Sequence, residues 1–323
     1  MTLNELTAPI KDNLKEFNTF FDKQLSTKVS LLNIILKYIT SKKGKQIRPI
    51  MVLMSARLCG GISERTYVAA SLVELLHTAT LVHDDVVDEA SERRGIASIN
   101  ANWNNKIAVL IGDFLLSKGL LVSVENKEFR FLEVTTNAVK RMSEGELLSI
   151  DKTKRYDLDE EKYFQVIRDK TASLISTCCE IGAISATEEL AKQVALRNYG
   201  ENIGIAFQIR DDIFDYISKS SLIGKPVGND LKEKKITLPL LYCLKNNEKE
   251  ADKIIKLIKK GKLQKSDINY IIDFVITSGG IKYAEDKANF YINEAKRNLD
   301  IFLESNEKKS LIDFADFVIE RKT

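Results

Sequence analysis

The chain has 323 residues, with 49 lysines and arginines against 46 aspartates and glutamates; the net charge of +3 carries no global signal for a polyanion. Hydrophobic residues make up 44% and charged residues 29%, ordinary proportions for a soluble globular protein, and no basic block is interleaved with aromatics, so nucleic-acid binding is not expected. The opening MTLNELTAPIKDNLKEF lacks an apolar core behind basic residues and does not read as a secretory signal, so a cytoplasmic location is expected.

Proline occurs four times and glycine fifteen, so helices can run long. Apolar residues recur at intervals of three and four, as in Leu72, Leu75, Leu76 and Ala79, or Phe164, Ile167, Leu174 and Ile175, and no segment alternates by two. The pattern predicts helices over 8–40, 46–59, 64–89, 104–124, 129–149, 159–184, 188–217, 235–245, 248–261, 266–278, 281–303 and 307–320. Ser63 is expected to start one of them, and Asp157, with Glu160 three positions on, another. The most apolar windows, 68–82 and 107–124, contain Glu74, Asp113 and Lys118. Both fall short of the ~20 clean residues of a membrane span and read as buried helices. Loops are expected at 41–46, 90–103 and 218–234, and Pro49, Pro226 and Pro239 each adjoin a cationic loop. No low-complexity linker divides the chain, so residues 1–323 are expected to form one all-α domain packed as a helical bundle. Cys59, Cys178, Cys179 and Cys243 lack metal-ligand spacing and read as core thiols.

Two stretches carry the chemistry. In LLHTATLVHDDVVDEASERRG, Asp84 and Asp88 lie four apart on one helical face, with Asp85 about 100° round. In FQIRDDIFDY, Asp211, Asp212 and Asp215 repeat the spacing at the end of a second apolar helix. Carboxylates this close repel one another unless cations intervene. Hard oxygen ligands in this pattern suit Mg2+, which keeps several waters and bridges carboxylates to substrate phosphates. If the two helices face each other, they would form a bed for several Mg2+ ions and one diphosphate.

Cations accompany both clusters: Lys45 and Arg48 in GKQIRP, Arg93 and Arg94 after the first cluster, Lys170 in RDKTAS, and Lys225 and Lys235 around the second. Arginine supplies forked donors and lysine a point charge, both suited to a diphosphate. The only histidines are His77 and His83; His77 lies two turns before Asp84 on nearly the same face, where it can make a further diphosphate contact, whereas His83 reads as structural.

Taken in order, GKQIRP, DDVVDEASERRG, the Lys170–Thr171 pair, FQIRDDIFD and GKPVGNDLKEKKITLP resemble the trans-isoprenyl diphosphate synthase (polyprenyl synthetase) family across residues 44–239. The resemblance implies an isoprenoid-synthase-type helical bundle around a deep central cavity, a homodimer, and elongation of an allylic diphosphate with isopentenyl diphosphate. It implies that Asp84, Asp88 and Asp211 hold Mg2+, three ions per active site, with Asp85, Asp212 and Asp215 supporting. Arg93, Lys170, Lys225 and Lys235 would grip the allylic diphosphate. Lys45, Arg48, His77 and Arg94 would bind isopentenyl diphosphate, and Thr171 and Gln208 would line the reacting centre beside Lys170. Mg2+ and cations neutralise the leaving diphosphate, so that an allylic carbocation forms and the double bond of the second substrate attacks it. In the family the departing diphosphate is thought to take the proton, so no histidine base is needed. The chain departs from the pattern at Gln46, at Ile96–Ala97–Ser98 and at Lys234, which leaves open which adjacent lysine, Lys234 or Lys235, reaches substrate.

Product length depends on what the growing tail meets. Val73, His77 and Thr80 continue the Asp84 stripe, with Leu76 and Ala79 at its edges. In the family, bulky aromatics four and five positions before the first aspartate stop the chain early; here Thr80 and Ala79 are both small. A C15 product is therefore not expected, and a heptaprenyl- or octaprenyl-like product is, with transient membrane contact for its release. The alternatives are a geranylgeranyl (C20) synthase, if a wall lies further along, and the catalytic subunit of a heteromeric synthase. A phosphohydrolase built on His83–Asp84–Asp85 would need more histidines, a terpene cyclase would normally lack the second cluster, and a regulatory subunit would lack some of the six aspartates.

Overall fold

The computed structural model describes residues 2–41, 44–93, 95–217 and 228–320, and helix dominates them. In chain order these are α1 (Leu3–Leu6), α2 (Lys11–Gln24), α3 (Ser30–Ser41), α4 (Ile47–Cys59), α5 (Glu64–Val87), α6 (Ile99–Trp103), α7 (Asn105–Glu125), α8 (Phe129–Arg155) and α9 (Glu160–Ile167). They continue with α10 (Ser173–Ala186), α11 (Leu190–Ile217), α12 (Asn229–Lys232), α13 (Leu238–Asn246), α14 (Glu248–Lys260), α15 (Lys265–Thr277), α16 (Gly280–Arg297) and α17 (Asn306–Glu320). Among the described residues the strands are β1 (Glu92–Arg93) and β2 (Ile96–Ala97), an antiparallel pair with Arg93 opposite Ile96. The all-α expectation is correct.

Several boundaries differ from the predicted ones for local reasons. The segment 8–40 is broken at 25–29, where Ser26 Oγ donates to Lys23 O at 3.0 Å and the Val29 N–H to Thr27 Oγ1 at 3.3 Å. Short polar side chains there satisfy backbone groups that a continuing helix would have paired. The helix expected to start from Asp157 is instead capped by Asp159, whose carboxylate accepts the N–H of Glu161 at 2.9 Å, while Asp157 accepts from Asp159. Ser63 does start α5, with its N–H donating to Thr66 Oγ1 at 3.2 Å. The loop expected over 90–103 contains the hairpin and α6, because Ser98 Oγ and Asn100 Nδ2 both donate to Ala90 O and pull the segment back.

The described residues form two compact units, one from Met1–Thr136, Thr177–Arg197 and Phe302–Ser310, the other from Asn137–Ser176, Asn198–Ile301 and Leu311–Thr323. In the first, α5 is buried almost all round and packs along α7, where Gly119 lets Leu75 approach: a Cβ there would lie 3.4 Å from Leu75 Cβ. Gly112 of α7 leaves the space that the His83 ring fills. Contrary to the expectation of full burial, α7 exposes Val109, Leu110, Leu121 and Val124, and it is long and apolar enough to cross a membrane by length and composition. Periodicity identifies the face that packs on α5, but the apolar remainder of α7 has the same composition whether covered or not.

The second unit gathers Ile209 and Ile213 of α11 with Leu238, Leu241, Ile254, Ile258, Ile271 and Ala284 in one core. Gly280 opens α16 against α13, since a Cβ there would lie 2.4 Å from Pro239 O. All four cysteines are buried and free, and burial raises their thiols above the ordinary range.

Candidate active site

In the first unit the DDVVD segment is the last turn of α5. Asp84 and Asp88 are exposed there, and Asp85 is buried. The Arg93 guanidinium grips Asp85, with Nε at 2.7 and 2.8 Å from its two oxygens and Nη2 at 2.6 Å from one. The hairpin that returns Arg93 toward α5 turns at Gly95, whose φ of +74° suits glycine, and Asn100 Nδ2 donates to Asp85 O at 3.1 Å. Asp84 and Asp88 therefore face solvent as a pair of hard oxygen donors, while Asp85 orients an arginine.

The GKQIRP segment leads into α4. Lys45 is exposed and Arg48 half-buried; Gln46, at φ +50°, is tied to α2 through Asn18 Oδ1 at 2.9 Å. His77 is buried on α5, and Thr80 Oγ1 donates to His77 O at 2.8 Å. Val73, Leu76 and Ala79 are all buried.

In the second unit a cavity of about 120 Å³ is lined by residues from separate motifs, including Lys170, Thr171, Gln208, Asp212 and Lys235. Lys170 and Thr171 sit on a π-helical turn, Arg168–Ala172, between α9 and α10. Two glycines admit that bulge. A Cβ on Gly145 of α8 would lie 2.8 Å from Lys170 N, and one on Gly204 of α11 would lie 2.5 Å from Ala172 Cα. Glu146, beside Gly145, pairs with the Lys170 ammonium.

The second aspartate cluster ends α11. Asp211 is half-buried. Asp212 accepts Tyr163 O–H at 2.6 Å and Gln208 Nε2–H at 2.9 Å; burial, with Asp230 close by, pushes its carboxyl up to about 8 against those bonds. Both oxygens of Asp215 accept backbone N–H groups, from Asn229 at 2.9 Å and Asp230 at 3.0 Å, so Asp215 fastens the start of α12. Burial pushes Asp215 upward as well. A divalent cation nearby would reverse both shifts, because it favours the ionised form.

Both adjacent lysines left open by the sequence line the cavity; Lys234 takes φ +61° and lays its ammonium against Gly261, at the carboxyl end of α14. Lys235 donates its N–H to Asp230 O at 2.8 Å and pairs its ammonium with Glu233 at the cavity. Arg94 and Lys225 lie outside the described residues. The sequence did not single out Glu146 or Tyr163: nothing in their spacing marks them, and only packing brings them to Lys170 and Asp212.

Among the described residues no three histidine, cysteine or acidic side chains converge into a ready-made metal cage. Mg2+ commonly takes one or two carboxylates and completes its shell with water and phosphate oxygens. Exposed carboxylates and cavity-lining lysines are the kinds of group that a divalent cation and an anionic ligand require.

Comparison with known proteins agrees. The sequence profile of the family described as polyprenyl synthetase matches residues 29–275. The chain is 35% identical to an all-trans-nonaprenyl-diphosphate synthase (geranyl-diphosphate specific) of Rhodobacter capsulatus, over 98% of this chain and 97% of that one. It is 33% identical to the octaprenyl diphosphate synthase of Escherichia coli K12, over 99% and 98%. Among solved structures, a polyprenyl synthase from Caulobacter crescentus complexed with calcium and isoprenyl diphosphate superposes with a TM-score of 0.90 at 31% identity, covering 100% of this chain and 98% of that one. The chain belongs to the polyprenyl synthetase family and is a transferase of prenyl groups.

Proposed function

We propose that the chain condenses isopentenyl diphosphate with an allylic diphosphate in repeated head-to-tail (1'-4) additions, giving a medium- or long-chain all-trans polyprenyl diphosphate. The observation that carries the reading is the cavity of the second unit, where Lys170 and Thr171 of one motif meet Gln208 and Asp212 of another and Lys235 of a third.

In this reading Asp84, Asp88 and Asp211 hold Mg2+, three ions per active site, and Asp85, Asp212 and Asp215 support them from the positions described above. Mg2+ supplies positive charge to the departing diphosphate. Lys170 and Lys235, with Lys225 and Arg93, bind the allylic diphosphate, and each described member already has an acidic partner that a diphosphate can displace or share. Lys45, Arg48, His77 and Arg94 bind isopentenyl diphosphate. Thr171 and Gln208 line the reacting centre, where the threonine oxygen faces the carbon that becomes positive.

Small side chains at Ala79 and Thr80, with Leu76 and Val73 behind them, leave the tail without an aromatic stop close to the aspartates and support a product longer than C15. One domain spanning 1–323 and a homodimer belong to the same reading; the exposed apolar residues of α7 support a second copy as its cover. Incubating the purified chain with Mg2+, labelled isopentenyl diphosphate and primers of C10, C15 and C20, then sizing the products, tests the proposal. Products ending at C20 would select the geranylgeranyl alternative, and product only after adding a second subunit would select the heteromer.

A further inference from the structure

Three hydrogen bonds link four side chains in the second unit. Tyr163 O–H donates to Asp212 Oδ2 at 2.6 Å, Gln208 Nε2 donates to Asp212 Oδ1 at 2.9 Å, and Thr171 Oγ1 donates to Gln208 Oε1 at 3.0 Å. All four line the same cavity, and they come from α9, the π-helical turn and one face of α11. We propose that Tyr163 is a positioning residue for prenyl transfer: by holding Asp212 it fixes the Gln208 amide and, through it, the direction of the Thr171 hydroxyl. The inference rests on the proposed reaction.

An amide can face either way, and its neighbours decide which. When Asp212 is ionised, as a nearby divalent cation favours, it accepts through both oxygens, so the Gln208 NH2 points at it and the Gln208 oxygen points at Thr171. The Thr171 proton is thereby drawn onto Gln208, and the threonine's oxygen lone pairs are left for the cavity. Lone pairs, rather than a proton, are what an electron-deficient carbon requires of its neighbour, and a dipole fixed in advance need not reorganise when charge develops. Removing the Tyr163 hydroxyl frees Asp212 Oδ2 to rotate onto Gln208, and the order of the relay is lost.

Tyr163 also packs its ring in the core with Ile167, Ala172 and Ile213 and edges Phe164 at 5.3 Å. Phenylalanine keeps that packing, so Tyr163→Phe isolates the hydroxyl. A hydrogen bond to a charged group is commonly worth a factor of about ten to a hundred. Tyr163→Phe should lower kcat by about that factor, with KM for the allylic diphosphate within about threefold and the thermal midpoint within a few degrees. In an Asp212→Asn background, followed by single-turnover labelling where steady-state rates are too slow, the same substitution should cost less than about twofold, because an amide there turns its NH2 to the Gln208 oxygen and the relay to Thr171 is already reversed.

Unchanged kcat in Tyr163→Phe, or a full loss repeated in the Asp212→Asn background, would overturn the proposal. So would a kcat loss that tracks a matching fall in the thermal midpoint, which is the signature of a purely structural tyrosine. Failure of the wild-type chain to elongate any primer would instead strike the proposed reaction, so the two failures are distinguishable.

Discussion

Arg93 closes on Asp85 through three contacts between 2.6 and 2.8 Å, and the two partners are unequally buried: the carboxylate is 3% exposed and the guanidinium 36%. The burial difference makes the pair asymmetric. Arg93→Ala strands a buried carboxylate and should lower stability by about 2 kcal/mol, whereas Asp85→Ala leaves an arginine that water can reach and should cost about half as much. Urea midpoints of the two variants measure this; equal midpoints would contradict the asymmetry. Asp85→Asn should leave the Mg2+ half-saturation within about threefold, while Asp84→Asn should shift it by about tenfold or more.

The same distinction applies within the second cluster. With Asp211 as a Mg2+ ligand in the proposed reaction, Asp211→Asn should abolish most elongation. Asp215→Ala should act by releasing the N–H groups of Asn229 and Asp230, at about 1–2 kcal/mol, with KM for the allylic diphosphate rising more than kcat falls. Steady-state kinetics at saturating Mg2+ separate the two patterns.

A methyl group on Gly145 has nowhere to go, with Lys170 N at 2.8 Å and Asp169 Cβ at 2.9 Å. Gly145→Ala should cost about 1–3 kcal/mol and should also shift the π-helical turn that carries Lys170. Its kcat/KM is therefore expected to fall by about tenfold or more, while Gly61→Ala, whose Cβ would meet nothing within 4 Å but whose φ of +139° strains an alanine, destabilises through the backbone alone and tests whether any such loss is merely global.

Lys234 holds a left-handed conformation that glycine adopts without strain. Lys234→Gly should raise stability by up to about 1 kcal/mol and leave elongation intact, and Lys235→Ala should impair elongation with little change in stability. Thermal melts beside product assays give both answers; loss of activity in Lys234→Gly would reassign the substrate contact to that residue.

Burial raises the Glu180 carboxyl above its ordinary 4.5, and Arg197 and Arg130 offset this only in part. A carboxyl raised in the folded state keeps its proton where the unfolded chain has lost one, so stability declines as pH rises from about 4.5 through the folded value. Glu180→Gln should flatten the fall in melting temperature as pH rises above about 4.5 relative to wild type, and an unchanged slope would assign the decline elsewhere.

Spacing along the chain was enough to establish an all-α protein, two carboxylate clusters at helix ends, the Lys170–Thr171 pair and the small residues Ala79 and Thr80, because helical geometry is local and repeats every three to four residues. The break at 25–29 and the late start of α9 were not legible, since each depends on which short side chain captures which backbone group. What each aspartate does was decided only in three dimensions. Asp85 is held by an arginine returned on a hairpin, Asp212 by a tyrosine from another helix, and Asp215 by the N–H groups of a later turn, whereas Asp84 and Asp88 lie exposed at the surface. Six aspartates in one repeated pattern look alike in sequence, and they differ in the fold because a carboxylate takes its role from its burial and from the donors that packing delivers to it.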